Sequence, residues 1–269
     1  MTRSPPAFTI LILVASLITG CKPIVNHFAF YPDKRNVIAM ENLPTGVQEI
    51  TITTEDQVKT TSLYLPSVDS KKLLIYFHGN AGNIYHRIPD LQQLQTFGIN
   101  VIGVSYRGYG KSEGSPSEDG IYLDGKAIYQ YAIERLGFTT ENIIILGRSI
   151  GSTVATDLAQ HKELHGLILV TPLSNGKEQA KAGGLGLIAA LAGEAFDNLS
   201  KIDNLISPLL VIHGTDDHVV PFSMGKAIYN RANAPKRFVK IDGADHNNLQ
   251  ETHPEMYWQP IYEFINKHT

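Results

Sequence analysis

Short, almost wholly apolar runs recur along the chain, at residues 73–77, 101–104, 143–146, 167–170 and 209–212, with a weaker one at 238–241. Runs of four or five apolar residues between turn-forming stretches fit parallel strands buried on both faces. Ahead of them, residues 47–53 alternate apolar and polar, which predicts a half-buried strand, and residues 58–65 fit its hairpin partner. Between the runs the apolar period becomes that of an amphipathic helix, over residues 84–97, 121–136, 152–161, 224–232 and 254–265. Strand and helix in alternation predict an α/β fold: one open, mostly parallel central sheet with helices on both faces. No repeat or composition break divides residues 47–269, which read as one domain. The rhythm pauses over residues 173–207, where Leu187, Ile188 and Leu191 share a helical face although nearby glycines weaken the helix. This insertion is expected to form a small cap over Ser149, its apolar face receiving an acyl chain or facing the membrane; a helix packed on the sheet is the alternative.

The N-terminus reads as a processing signal. Residues 10–18 are an apolar run, short of the roughly 20 residues that span a bilayer. The run ends in Leu17-Ile18-Thr19-Gly20-Cys21, which resembles the lipobox of bacterial lipoproteins, and Cys21 is the only cysteine of the chain. The resemblance implies cleavage before Cys21 and acylation of its thiol. Residues 1–20 would then be a signal peptide and residues 21–46 a tether and lead-in. Acyl chains would supply membrane affinity at roughly 0.8 kcal/mol per buried CH₂. Lys22 in place of Asp implies, by the sorting habit of such lipoproteins, the outer membrane. An exported, membrane-anchored protein is the expectation; an uncleaved anchor and an ordinary secretory signal are the alternatives.

Composition narrows the function. A lone cysteine excludes an internal disulfide and a cysteine-based metal or redox centre. With 23 Lys+Arg against 26 Asp+Glu and no block of like charge, electrostatic nucleic-acid binding is not expected. Gly184-x-Gly186-x-x-Ala189 mimics a dinucleotide fingerprint but follows no predicted strand, and Gly110-Lys111-Ser112 lacks the glycine a phosphate loop needs at position 105.

One motif carries chemistry. Gly147-Arg148-Ser149-Ile150-Gly151 follows the 143–146 run and precedes a predicted helix. A G-x-S-x-G sequence in that setting is a nucleophile elbow, a turn so tight that side chains on either side would clash. A serine hydroxyl needs a base, and the base an orienting acid, in the order Ser, acid, His. His246 follows the last predicted strand and precedes the last helix, where the base belongs, with His218 as a rival. Asp216 and Asp217 both lie in the loop after residues 209–212, and position alone does not separate them. An oxyanion needs two N–H donors: Ile150, next to the nucleophile, and Asn80, in the Gly-rich loop His78-Gly79-Asn80-Ala81-Gly82-Asn83. His78 itself is expected to hold that loop by hydrogen bonds.

These residues, with Ser105-Tyr106-Arg107-Gly108-Tyr109-Gly110-Lys111-Ser112-Glu113-Gly114, resemble α/β-hydrolases of the BEM46-like group, related to the serine-aminopeptidase-like hydrolases. The likeness runs roughly from Gln48 to Lys267. It implies an α/β-hydrolase fold and a triad of Ser149, Asp217 and His246, with Asn80 and Ile150 as oxyanion donors. The acid falls on Asp217 because the family pattern H-G-x-x-D-x-x-V-P is filled by His213, Gly214, Asp217, Val220 and Pro221. The expected activity is hydrolysis of carboxylic esters or thioesters through an acyl-enzyme, with no metal or organic cofactor. A peptidase on the same triad and a non-catalytic lipid-binding lipoprotein are the alternatives.

Overall fold

The computed structural model describes residues 23–266. The expected signal peptide and Cys21 lie outside the described residues. Eight strands form one sheet: β1 (Gln48–Thr53), β2 (Lys59–Leu65), β3 (Leu73–Phe77), β4 (Asn100–Val104), β5 (Ile143–Arg148), β6 (Gly166–Val170), β7 (Leu209–Gly214) and β8 (Lys236–Ile241). Their order across the sheet is β8-β7-β6-β5-β3-β4-β2-β1. Only the leading hairpin breaks the parallel rule: β2 runs antiparallel to both β1 and β4. Besides the helical residues 23–29, the α-helices are α1 (Ile88–Gln95), α2 (Glu118–Glu134), α3 (Gly151–Ala159), α4 (Gly176–Ala182), α5 (Gly186–Ala192), α6 (Asn198–Ile202), α7 (Phe222–Arg231), α8 (Leu249–Thr252) and α9 (Pro254–Asn266). No helix among the described residues is long and apolar enough to cross a membrane.

The strands are continuous in apolarity because both faces of the sheet are covered. Successive side chains point to opposite faces, and the core divides accordingly. Leu73, Ile75, Phe77, Ile143 and Ile145 pack on one side with Ile121, Ile128 and Val154 of α2 and α3. Leu74, Tyr76, Ile144 and Leu146 pack on the other with Leu91 of α1 and Ile261 of α9. Each fully buried Leu or Ile contributes about 1.5–3 kcal/mol through this burial.

Local chemistry moved several helix boundaries from those expected. The second long helix begins at Glu118 because the Ser117 side chain accepts from Gly120 N and caps it. The helix expected over residues 84–97 is a 3₁₀ turn, Ile84–Arg87, before α1, which carries proline in its first turn. The pause over residues 173–207 holds three short helices, α4 to α6.

The strand order places the site. From β3 the chain crosses to β4 on one side, while β5 pairs with β3 on the other. A crevice opens at such a reversal, outside the carboxyl ends of the strands. Phe77 is in register with Gly147, so the loop that starts at His78 faces the turn that carries Ser149.

Candidate active site

Ser149 sits at the tip of the β5–α3 turn with φ 54°, a left-handed conformation costly for a residue with a side chain. Two glycines make the turn. A Cβ at Gly147 would lie 2.5 Å from the Gly151 carbonyl oxygen, and one at Gly151 would collide with the Phe77 carbonyl. The Ser149 N–H donates to Val170 O at 2.9 Å, tying the turn to the end of β6.

The elements bring three side chains into line. His246 Nε2 lies 3.1 Å from Ser149 Oγ, and His246 Nδ1 lies 2.8 Å from Asp217 Oδ2. An ionised carboxylate only accepts, so Nδ1 carries the imidazole proton and Nε2 is left to accept from the serine hydroxyl. Asp217 Oδ1 accepts from Val219 N at 2.9 Å and Val220 N at 2.7 Å. A second imidazole reaches the same carboxylate: His213 Nε2 is 3.2 Å from Oδ2 and 2.9 Å from Val220 O. Because Val220 O can only accept, His213 Nε2 is the protonated nitrogen and donates to both. Burial pushes the Asp217 carboxyl up, but hydrogen bonds from His213 and His246 outweigh it and hold the acid well below the usual carboxylate range. Asp216 is exposed, accepts from Thr215 Oγ1 at 2.9 Å and takes no part. The rival base, His218, is also exposed and lies 3.5 Å from Asp245.

Asn80 and Ile150 line the cavity beside Ser149. Among the described residues, no hydrogen bond from the main-chain N–H of either is found. His78 sets the loop. Its Nδ1 lies 2.6 Å from Gly79 O, and in a trans peptide the N–H of the next residue points the opposite way. The peptide plane that carries the Asn80 N–H is therefore fixed by an imidazole. Burial pushes the His78 ring down to about 3, against the opposing hydrogen bond to Gly79, so the ring stays neutral and Nδ1 donates. The Asn80 carbonyl is fixed in turn by Tyr31 N at 3.1 Å and Tyr109 Oη at 2.6 Å.

The cavity measures about 170 Å³, and its walls are mostly apolar. Leu185, Ile188 and Ala192 of the 173–207 segment line it, with Phe196. Leu187 does not: it is 78% exposed. Leu191 is half-buried and outside the lining. Of the three residues expected to share a helical face, Ile188 alone reaches the cavity.

Two positioning contacts carry no signal in the sequence. The Arg148 guanidinium donates from Nη2 to His246 O at 3.0 Å. Asp245 Oδ1 accepts from His218 N at 3.0 Å and His246 N at 2.7 Å, joining the loop of the acid to that of the base.

A family model described as serine aminopeptidase, S33, matches residues 68–201. Alpha/beta hydrolase domain-containing protein 17B of Homo sapiens is 35% identical over 192 residues, covering 68% of this chain and 63% of that protein. Alpha/beta hydrolase domain-containing protein 17C of Xenopus laevis is 36% identical over 208 residues, covering 74% of this chain and 63% of its own length. The chain belongs to the α/β-hydrolases, in the BEM46-like group. It spans about 63% of the length of these relatives. Solved members of the fold agree with the architecture. An esterase from Pyrococcus furiosus superposes with a TM-score of 0.74 at 22% identity, covering 89% of this chain and 97% of that one. An alpha-beta hydrolase from Vibrio vulnificus gives 0.69 at 23%, covering 98% and 95%. At such identities the likeness concerns the fold.

Proposed function

We propose that this α/β-hydrolase is a serine hydrolase that cleaves carboxylic esters or thioesters. The observation that carries the reading is the unbroken line from Ser149 Oγ through His246 to Asp217, at the edge of an apolar cavity. His246 Nε2 removes the hydroxyl proton as Oγ attacks the acyl carbonyl. Asp217 holds the tautomer that makes this possible and stabilises the imidazolium that forms. The negative charge on the carbonyl oxygen is met by the N–H groups of Asn80 and Ile150. Collapse of the tetrahedral intermediate breaks the bond to the leaving alcohol or thiol, which takes the proton from His246. Water, activated by the same imidazole, then releases the acid from Ser149.

The family model's description raises an aminopeptidase as a second reading. An enzyme that clips a residue from a free N-terminus needs an acid beside the pocket to hold the substrate ammonium. Among the described residues that line the cavity there is no carboxylate, and Asn80, Ser149 and Gln179 are its polar side chains. This favours an acyl group without a cation. The lipoprotein reading of Cys21 stands beside the enzymatic one: the intact mass of the membrane form should show a mature N-terminus at Cys21 with a diacylglyceryl addition, and a start elsewhere would remove it.

The test of the enzymatic reading is a fluorophosphonate probe followed by peptide mapping. The adduct is expected on Ser149 and nowhere in the Ser149→Ala protein, whose kcat on p-nitrophenyl esters should fall on the order of 10⁶-fold with the fold retained. A folded wild-type protein that stays unlabelled would be a non-catalytic scaffold.

A further inference from the structure

The first described residues are part of the pocket. Residues 23–29 are helical, and Val25, Phe28 and Ala29 line the cavity together with residues of the 173–207 segment. Val25 is buried. The neighbouring Phe30 packs edge-on against Phe196, itself a lining residue, with centroids 5.9 Å apart. Asn26 Oδ1 accepts from Glu118 N at 3.3 Å, fixing the helical turns to the start of α2.

The chain then crosses the loop of Asn80. Tyr31–Pro32 pairs in parallel with Ala81–Gly82. Asp33 N donates to Gly82 O at 3.0 Å, and Asn83 Nδ2 donates to Asp33 O at 3.2 Å and Asn36 O at 3.0 Å. Fixed at both ends, the segment has no freedom to swing clear of the cavity without breaking these bonds. None of it falls within the 68–201 stretch that the family model matches, so this wall is outside the shared hydrolase core.

We infer that residues 23–29 form one wall of an acyl-chain subsite, with Val25 and Phe28 as the side chains that select acyl length. The inference rests on the esterase reading of Ser149 and deepens it. The ligand class is a hydrocarbon acyl group: the wall offers a β-branched side chain, an aromatic ring and a methyl, and no charge. Val25, buried and fixed, limits how far a chain can extend. Phe28, 41% exposed, stands where the cavity meets solvent and covers the methylenes of a longer chain.

The test measures kcat/KM of the full chain on p-nitrophenyl esters from acetate to decanoate. Val25→Trp fills the subsite, and the decanoate-to-acetate ratio should fall at least tenfold, as roughly one lost methylene contact or more would require. Val25→Ile should keep the ratio near that of wild type. Phe28→Ala removes a partly exposed ring, so folding is not at stake, and should lower the ratio severalfold through KM for the long ester. If Val25→Trp does not fold, Phe28→Ala decides. A ratio unchanged within twofold in Phe28→Ala, or in folded Val25→Trp, overturns the inference even while fluorophosphonate still labels Ser149. Absence of labelling in wild type would instead remove the esterase reading.

Discussion

The turn beneath Ser149 and the short helices above it are held by different means. In α3, eight of nine residues are buried, and the two glycines of the turn leave no room for a methyl group. In α5, only Ala189 and Ala192 of seven residues are buried, and an added Cβ at Gly184, Gly186 or Gly193 would meet nothing within 4 Å. Backbone packed this closely fixes an attacking oxygen to within the tolerance that chemistry needs. A lightly packed layer can change its side chains without disturbing the sheet. On the proposed esterase reading, the attacking oxygen stands on the closely packed sheet ends, and the layer above them supplies cavity lining.

Breaking the first region should be costly, and two adjacent acids test this within one loop. Asp217→Asn keeps the shape but turns a donor toward Nδ1 and imposes the wrong tautomer on His246. The expected loss is roughly 10⁴ in kcat, by the precedent of the serine-protease triad. Asp216→Asn should cost less than about tenfold, as an exposed carboxylate contributes little. Both are measured on one ester, and the reverse ranking would move the acid to Asp216.

A pH scan reaches the loop that faces the turn. His78 titrates near its ordinary value in the unfolded chain but only at about 3 when buried. Between those values the unfolded state binds a proton that the folded state does not, so stability falls as the pH drops below about 6.5, by a few kcal/mol in all. Asp217 acts lower: its depressed acid contributes stability above the ordinary carboxylate range, and this is lost only as the pH falls through its folded value. Burial pushes the carboxyls of Asp124 and Glu118 up, which tilts the curve in the opposite sense. His78→Gln should therefore show a flatter fall in denaturant stability from pH 7 to pH 5 than wild type. Equal slopes would mean that His78 is not a buried neutral ring.

The smallest effect belongs to the upper layer. Ile188→Ser should lower activity on long esters about tenfold relative to acetate. Leu187→Ser, at an exposed position outside the lining, should leave the long-to-short ratio within about twofold. Equal changes in that ratio would erase the distinction between the lining and the outer face of α5.

The sheet was legible because strands buried on both faces leave unbroken apolar runs, and the elbow because its glycines answer to close contacts that only glycine survives. Asp217 was not separable from Asp216 by position. They differ in which carboxylate folds back on the N–H groups of Val219 and Val220, a turn geometry that adjacent, identical residues do not announce. Periodicity marks the apolar face of α5 but not which part of it meets the cavity, where Ile188 and Ala192 stand and Leu187 and Leu191 do not. Residues 23–36 read as a tether because their structure comes from contacts with Asn80, Asn83 and Glu118, distant in sequence and without a periodic signature. Arg148 was hidden for the same reason: its partner is a backbone carbonyl 98 positions away.

The central claim is that Ser149 becomes covalently acylated during turnover. Rapid quenching of the protein with p-nitrophenyl decanoate, followed by intact mass and peptide mapping, tests it most directly. One decanoyl addition is expected on the peptide that contains Ser149, formed in step with a burst of p-nitrophenol and absent from Ser149→Ala. Ester hydrolysis that continues at the wild-type rate in folded Ser149→Ala, with no acyl adduct on wild-type Ser149, would contradict it.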